Sequence, residues 1–298
     1  MHPEPEAEPN QSAIQAAVSL LADRDRRIAE ACRLRLLGWG DLARPALQRA
    51  ASEADPRLRT RARQILRTLD LENWLAAVRR FGDAARRRSR RRPSENRAVW
   101  STLEEGVLLV ASLLRAPDRA ALTAFVEDAA SSLRPRIVGR TPATGARLLA
   151  EQLARGAGLT GERTDQWDAD ALWIDRVVVR RRGQAAALAQ RYLLVARRAG
   201  LDAAAVCLPE HFLVRVHGPR PILIDPAHEG RLVTKADCLR YLRASGHGIH
   251  AVSYLEDASD LHALAVCLRA LHGVFGYRED REVCIAIESA RTALLAPL

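Results

Sequence analysis

RRRGQAAALAQRYLLVARRAGLDAAAVCLPEHFLVRVHGPRPILIDPAHEGRLV, residues 180–233, carries the passage from helix to sheet on which the fold rests. From Gln184 to Ala199 it is built from strong helix formers, with no glycine or proline, and Gly200 supplies a stop. Three β-type runs follow, at 203–208, 211–217 and 220–225. Pro209-Glu210 is short enough for a tight turn, which sets Leu208 opposite His211 and Cys207 opposite Phe212. A second turn centred on Gly218 pairs Phe212 with Ile224, Val214 with Ile222, Leu213 with Leu223 and His211 with Asp225. Opposed residues share a face, so the apolar sides match and a His211–Asp225 hydrogen bond is expected.

Outward from this stretch the pattern is helical. LEEGVLLVASLL puts Leu103, Val107, Val110, Leu113 and Leu114 on one broad face, and Pro117-Asp118 opens a helix through Leu133. Residues 135–146 read as a loop, followed by helices near 146–157, 168–180 and 184–199. The segment 260–295 reads as two helices separated at Gly276 beside Tyr277, with Asp260 as a cap. Toward the N-terminus, Ile14, Val18 and Leu21 share a helical face, and Ile28, Cys32 and Leu36 share another, stopping at Gly38-Trp39-Gly40. Asp41 can cap a helix with Leu42 and Leu47 facing inward, and Asp55-Pro56 starts the next. The segments beginning at Asp25 and Asp55 superimpose with an offset of 30, a period that suits stacked helix pairs.

The motifs have a family likeness. Arg180-Arg181-Arg182-Gly183, Tyr192, Val195-Ala196-Arg197-Arg198, Gly200-Leu201, His211-Phe212-Leu213-Val214-Arg215 and Ile224-Asp225-Pro226 resemble, in unbroken order, the transglutaminase-like superfamily and most closely its SirB-type branch. With LEEGVLLVA and the C-terminal helices, the likeness spans roughly residues 97–298. LLADRDRRIAEACRLRLLGWGDLARPALQRA resembles HEAT repeats, although an ordinary helical bundle reads almost as well. The fold expected is α+β, a papain-like domain around a small antiparallel sheet, preceded by an all-α region. The expected divisions are a disordered tail (1–11), a HEAT-like region (12–82), an Arg-rich linker (83–97) and the transglutaminase-like domain (98–298).

The resemblance implies a chemistry. Active members place a thiolate at the N-terminus of the buried helix, a histidine on one strand to take its proton, and an aspartate on the next to fix the imidazole. His211 and Asp225 match the last two, but Ala185 stands where the cysteine would be, and a methyl group is no nucleophile. The SirB-type branch commonly has proline there, so the loss is implied for the branch as a whole. Cys207, pointing away from His211, reads as a core thiol. Glu210 stands where the branch usually has glycine, implying a positive φ. Glu210, Tyr192 and Arg182 are expected at the cleft rim. His228-Glu229-Gly230 reads as a turn, and His247 and His250 as loop residues without a third ligand, so no metal and no cofactor are expected.

Composition narrows the partners. The chain has 298 residues, 48% of them hydrophobic but only 4% aromatic, which favours a helical core of Leu, Ala and Val. The net charge is +10, yet Lys235 is the only lysine, and residues 79–97 alone set nine arginines against Asp83 and Glu95. Arg86, Arg87, Arg88, Arg90, Arg91 and Arg92 could line a phosphate-binding strip, but no aromatic interleaves them for base stacking. Five dispersed cysteines without a CxxC pair, and an acidic proline-rich N-terminus, suggest a cytoplasmic protein with no membrane association. Three functions follow: a non-catalytic module binding a protein or peptide, a hydrolase or transferase using His211–Asp225 without a thiol, and a nucleic-acid binder through the arginine run.

Overall fold

The computed structural model describes residues 9–90, 98–162, 168–248 and 252–297. The chain divides into two compact units between Trp74 and Leu75, inside a long helix.

The first unit is helical: α1 (Gln11–Ser19), α2 (Arg26–Trp39), α3 (Arg44–Ala50) and the start of α4 (Pro56–Arg90). Asn10 caps α1 by accepting from the Ala13 N–H, so residues 10 and 11 start a helix where a disordered tail was expected; residues 1–8 lie outside the described residues. Asp25 and Asp55 accept from the backbone N–H two residues on, as starts for α2 and α4. Ile14, Val18, Leu21, Leu36, Leu47, Ile65 and Leu69 form the core. Two inward assignments fail: Ile28 is 41% exposed and Leu42 59%. The buried face of α2 runs through Ala29 and Leu36 instead, and Leu42 falls in a 3-10 turn at Gly40–Leu42 before α3 begins.

The proposed linker from 83 is also revised, because α4 continues to Arg90. Arginine is a good helix former, and nothing between Pro56 and Arg90 breaks the helix. Arg86 shows how charge repulsion is offset: it pairs with Asp83 at 2.7 Å and donates to the Ala293 carbonyl at 2.9 Å. Arg88 reaches Glu105 at 3.3 Å. Arg91, Arg92 and the rest of the segment to residue 97 lie outside the described residues.

The second unit comprises α5 (Ala98–Ala111), α6 (Arg119–Ile137), α7 (Pro142–Glu151), α8 (Ile174–Arg180), α9 (Ala185–Ala199), α10 (Lys235–Ala244), α11 (Asp260–Tyr277) and α12 (Arg281–Leu295). Only residues 138–141 separate α6 from α7, so the expected loop at 135–146 is mostly helix. Ser259, not Asp260, caps α11; Asp260 instead pairs with Arg197 at 2.8 Å. Short β1 (Thr160–Gly161) and β2 (Arg182–Gly183) pair in parallel. The main sheet is an antiparallel meander of β3 (Ala203–Leu208), β4 (His211–Val216), β5 (Ile222–Asp225) and β6 (Arg231–Val233). Against it lies α9, whose Leu188, Tyr192, Leu193 and Val195 are fully buried.

Register separates a correct expectation from an incorrect one. Leu208 opposes His211 and Cys207 opposes Phe212, as the tight turn required. Between β4 and β5, however, Val214 pairs with Ile224, Arg215 with Leu223 and Val216 with Ile222. This is two residues from the expected pairing. The shift moves Pro221, which lacks an N–H to give to a ladder, out of the expected strand and into the loop that already held Pro219. Because the side-chain period is two, every residue keeps its face.

Candidate functional site

The end of β4 and the end of β5 build the site. His211 opens β4 directly after Glu210, which holds the turn at φ +57°, the left-handed value expected from a glycine position. Asp225 closes β5 and caps the 3-10 turn Pro226–His228. One carboxylate oxygen, Oδ1, accepts from the N–H groups of Ala227 at 3.1 Å and His228 at 3.3 Å. The other, Oδ2, lies 2.9 Å from His211 Nε2 and 2.8 Å from His228 Nδ1. The expected His211–Asp225 contact therefore exists, but as a diagonal across the ladder and not as a directly opposed pair.

Burial would raise the Asp225 pKa. The His211 hydrogen bond and charge, joined by His228, outweigh it and hold the carboxyl below its usual value. His228 was read as part of a turn, and it is, but its side chain comes back onto the cap. The signal was there in Asp225-Pro226 followed by a histidine three residues after the cap.

A cleft of about 1210 Å³ opens beside this cluster. Gln184, Ala185 and Ala186 line it from the head of α9, and His211, His228 and Ala227 from the sheet end. Further around lie Tyr254 and, on α11, Ala270 and Gly273. Gly161 sits at the rim, where an added Cβ would come within 2.3 Å of the Ala227 carbonyl oxygen, so glycine lets β1 approach the 3-10 turn. Ala185 is the first residue of α9, and it lines the cleft at the helix head.

The other sequence candidates fare unequally. Glu210 is exposed and lines the cleft, as expected of a rim residue. Tyr192 does not: it is fully buried in α9, and among the described residues its hydroxyl has no hydrogen-bond partner. Residues 186 to 196 of α9 are all buried, which leaves no rim position there. Burial, with the Asp225 charge, raises the Tyr192 pKa. Arg182 is exposed on β2 and is not among the residues lining the cleft. Cys207 has the expected register but borders the cleft, partly exposed; burial pushes its thiol up to about 12, so it carries no thiolate at neutral pH. His247 also lines the cleft, its buried Nδ1 without a partner among the described residues and its ring edge-on to Tyr254 at 5.8 Å; His250 lies outside the described residues.

Two buried charges went unnoticed in the sequence. Asp175 holds Arg115 at 2.8 Å and the Asp118 N–H at 2.9 Å. Arg191, fully buried on α9, has one hydrogen bond, to the Ala187 carbonyl. A helical pattern of Ala-Gln-Arg-Tyr gives no sign that the arginine faces inward.

The sequence matches the family described as the Transglutaminase-like superfamily over residues 119–272, from the start of α6 into α11. The chain belongs to the transglutaminase-like superfamily. No curated protein and no solved structure matches it. The matched span contains the whole four-stranded sheet, α9 and the cleft-lining part of α11 up to residue 272. Within the transglutaminase-like domain His211 and Asp225 are in contact, and Ala185 lines the cleft at the head of α9. Among the described residues no helix is long and apolar enough to cross a membrane, and all five cysteines are free thiols.

Proposed function

We propose that the chain is a non-catalytic transglutaminase-like protein of the SirB-type branch that holds a peptide segment of a protein partner in its cleft and acts as a scaffold or regulatory module in the cytoplasm. The observation that carries this is Ala185: an open cleft leads to the head of α9, where the residue carries no nucleophile. Cys207 offers no substitute, since its burial keeps it a thiol. The helical first unit, read as HEAT-like, would add a second binding surface. The nucleic-acid reading is less favoured, because Arg86 is engaged by Asp83 and the end of α12, and Arg88 by Glu105.

Gly273 gives a clean test. It lines the cleft, and an added Cβ meets nothing within 4 Å, so Gly273→Trp places a bulky side chain at the cleft wall with no clash at its first carbon. Peptides selected from a random displayed library on the full chain are expected to bind and to leave the chain uncleaved and unmodified, with G273W losing at least about tenfold in affinity. Equal binding by G273W would remove the cleft from the proposal. Turnover of a bound peptide by the parent chain would remove the non-catalytic claim.

A further inference from the structure

We infer that His211, Asp225 and His228 form a binding site for a late first-row divalent cation, represented by zinc, beside the cleft. This goes beyond the peptide-binding proposal and does not depend on it. The three donor atoms, His211 Nε2, Asp225 Oδ2 and His228 Nδ1, all lie within 4.8 Å of one another.

A histidine–aspartate dyad accounts for His211 alone. It gives no reason for a second imidazole on the same oxygen. The carboxylate is oriented for a single-point contact: Oδ1 is held by two backbone N–H groups, which leaves Oδ2 as the presented ligand. Two imidazoles and one carboxylate suit zinc, cobalt or iron, whereas calcium and magnesium take oxygen. The set supplies three protein ligands and leaves a fourth position for water, the arrangement of an open zinc site.

The metal-free contacts are shorter than the separations around a tetrahedral ion. With metal–ligand bonds of about 2.0–2.2 Å, ligand atoms stand roughly 3.3 Å apart. The present contacts at 2.8 and 2.9 Å must open slightly. His228 can give that movement, because its side chain is 58% exposed on a short turn. On binding, each neutral ring changes tautomer: the hydrogen given to Asp225 Oδ2 in the metal-free protein leaves His211 Nε2 or His228 Nδ1 for water, water returns one to His211 Nδ1 or His228 Nε2, and the freed lone pair bonds the metal with no net proton release.

The test uses the full chain stripped with a chelator, then titrated with Zn²⁺ against a chromophoric competitor and separately with Co²⁺. Expected are one tight ion per chain and an intense visible cobalt band without the near-ultraviolet thiolate band. His228→Ala and His211→Ala should each weaken Zn²⁺ binding roughly 100-fold, and His217→Ala, whose ring pairs with Asp257, should leave it unchanged. Circular dichroism confirms that each variant is folded. Wild-type affinity in folded H228A, a cobalt–thiolate band, or failure of the parent chain to retain the ion against the competitor would each overturn the site. None of these readouts involves a peptide, so failure here is distinct from failure of the cleft proposal.

Discussion

Asp225 and Arg191 are both buried charges of the transglutaminase-like domain, 6% and 0% exposed, and their surroundings treat them in opposite ways. Asp225 has four hydrogen-bond partners at its two oxygens. Among the described residues Arg191 has one, with Nε and one terminal nitrogen unpartnered. Both pKa values fall, with contrary meanings: the fold favours the charged Asp225, whereas burial lowers Arg191 to about 9 and so opposes its charge. Asp175 raises the arginine only in part, being already committed to Arg115 and the Asp118 N–H. Depth of burial therefore does not decide the cost of a charge; the supply of partners does. Asp225 stands where two strands end and free backbone N–H groups are available. Arg191 stands mid-helix, where the neighbouring backbone is already bonded to itself.

The comparison can be broken most directly at Asp225. Asp225→Ala should lower stability by about 3 kcal/mol at neutral pH, read by urea unfolding, because two histidines and the 3-10 turn lose one acceptor together. The pH dependence has a definite sign. A carboxyl with a lowered pKa in the fold contributes stability above its ordinary value near 3.8, and that contribution is lost as pH falls through the folded value. D225A should therefore unfold with a flatter acid limb than the parent. No loss of stability would mean the four contacts contribute nothing net.

Arg191→Met should act the other way, stabilising the domain by about 2 kcal/mol, since the side chain keeps its length and sheds an incompletely partnered charge. Here the fold lowers a base from 12.5 to about 9, so the penalty is present below about 9. It is relieved as pH rises toward the unfolded value, and the advantage of R191M should shrink above pH 9. Destabilisation by R191M would show that the Ala187 contact and the Asp175 attraction outweigh desolvation.

Glu210 sharpens the contrast as an exposed charge whose cost lies in the backbone alone. Removing the left-handed strain with Glu210→Gly should gain roughly 0.5 kcal/mol in thermal unfolding, after the entropy cost of glycine. A gain above that of R191M would reverse the ordering drawn here.

Much of the site was legible in the sequence because it rests on short-range constraints. The helix formers from Gln184 to Ala199 placed Ala185 at the head of α9, a two-residue turn fixed the β3–β4 register, and the likeness to a branch with glycine at position 210 implied the positive φ there. Phe212, Leu213 and Val214 are all buried, so both faces of β4 are covered, and a register step of two leaves the face of every residue unchanged. His211 and Asp225 consequently met even though their register was wrong by two. The arginine run was misread because Asp83 was counted only in the charge balance and not placed beside Arg86, and the α12 carbonyl that Arg86 also reaches is distant in sequence.

By itself, then, the sequence determined parity, helix ends and the residue, Ala185, that stands at the head of α9. These depend on residues within a turn or two of one another, where period and steric limits leave few choices. Only the tertiary structure decided that Tyr192 is buried instead of rimming the cleft, that Arg191 is left nearly alone, and that His228 joins Asp225. Each depends on what another segment places nearby, and a five-residue loop such as 217–221 can slip by two residues without breaking the alternation. Local pattern sets the face a residue shows; the distant chain sets what it meets there.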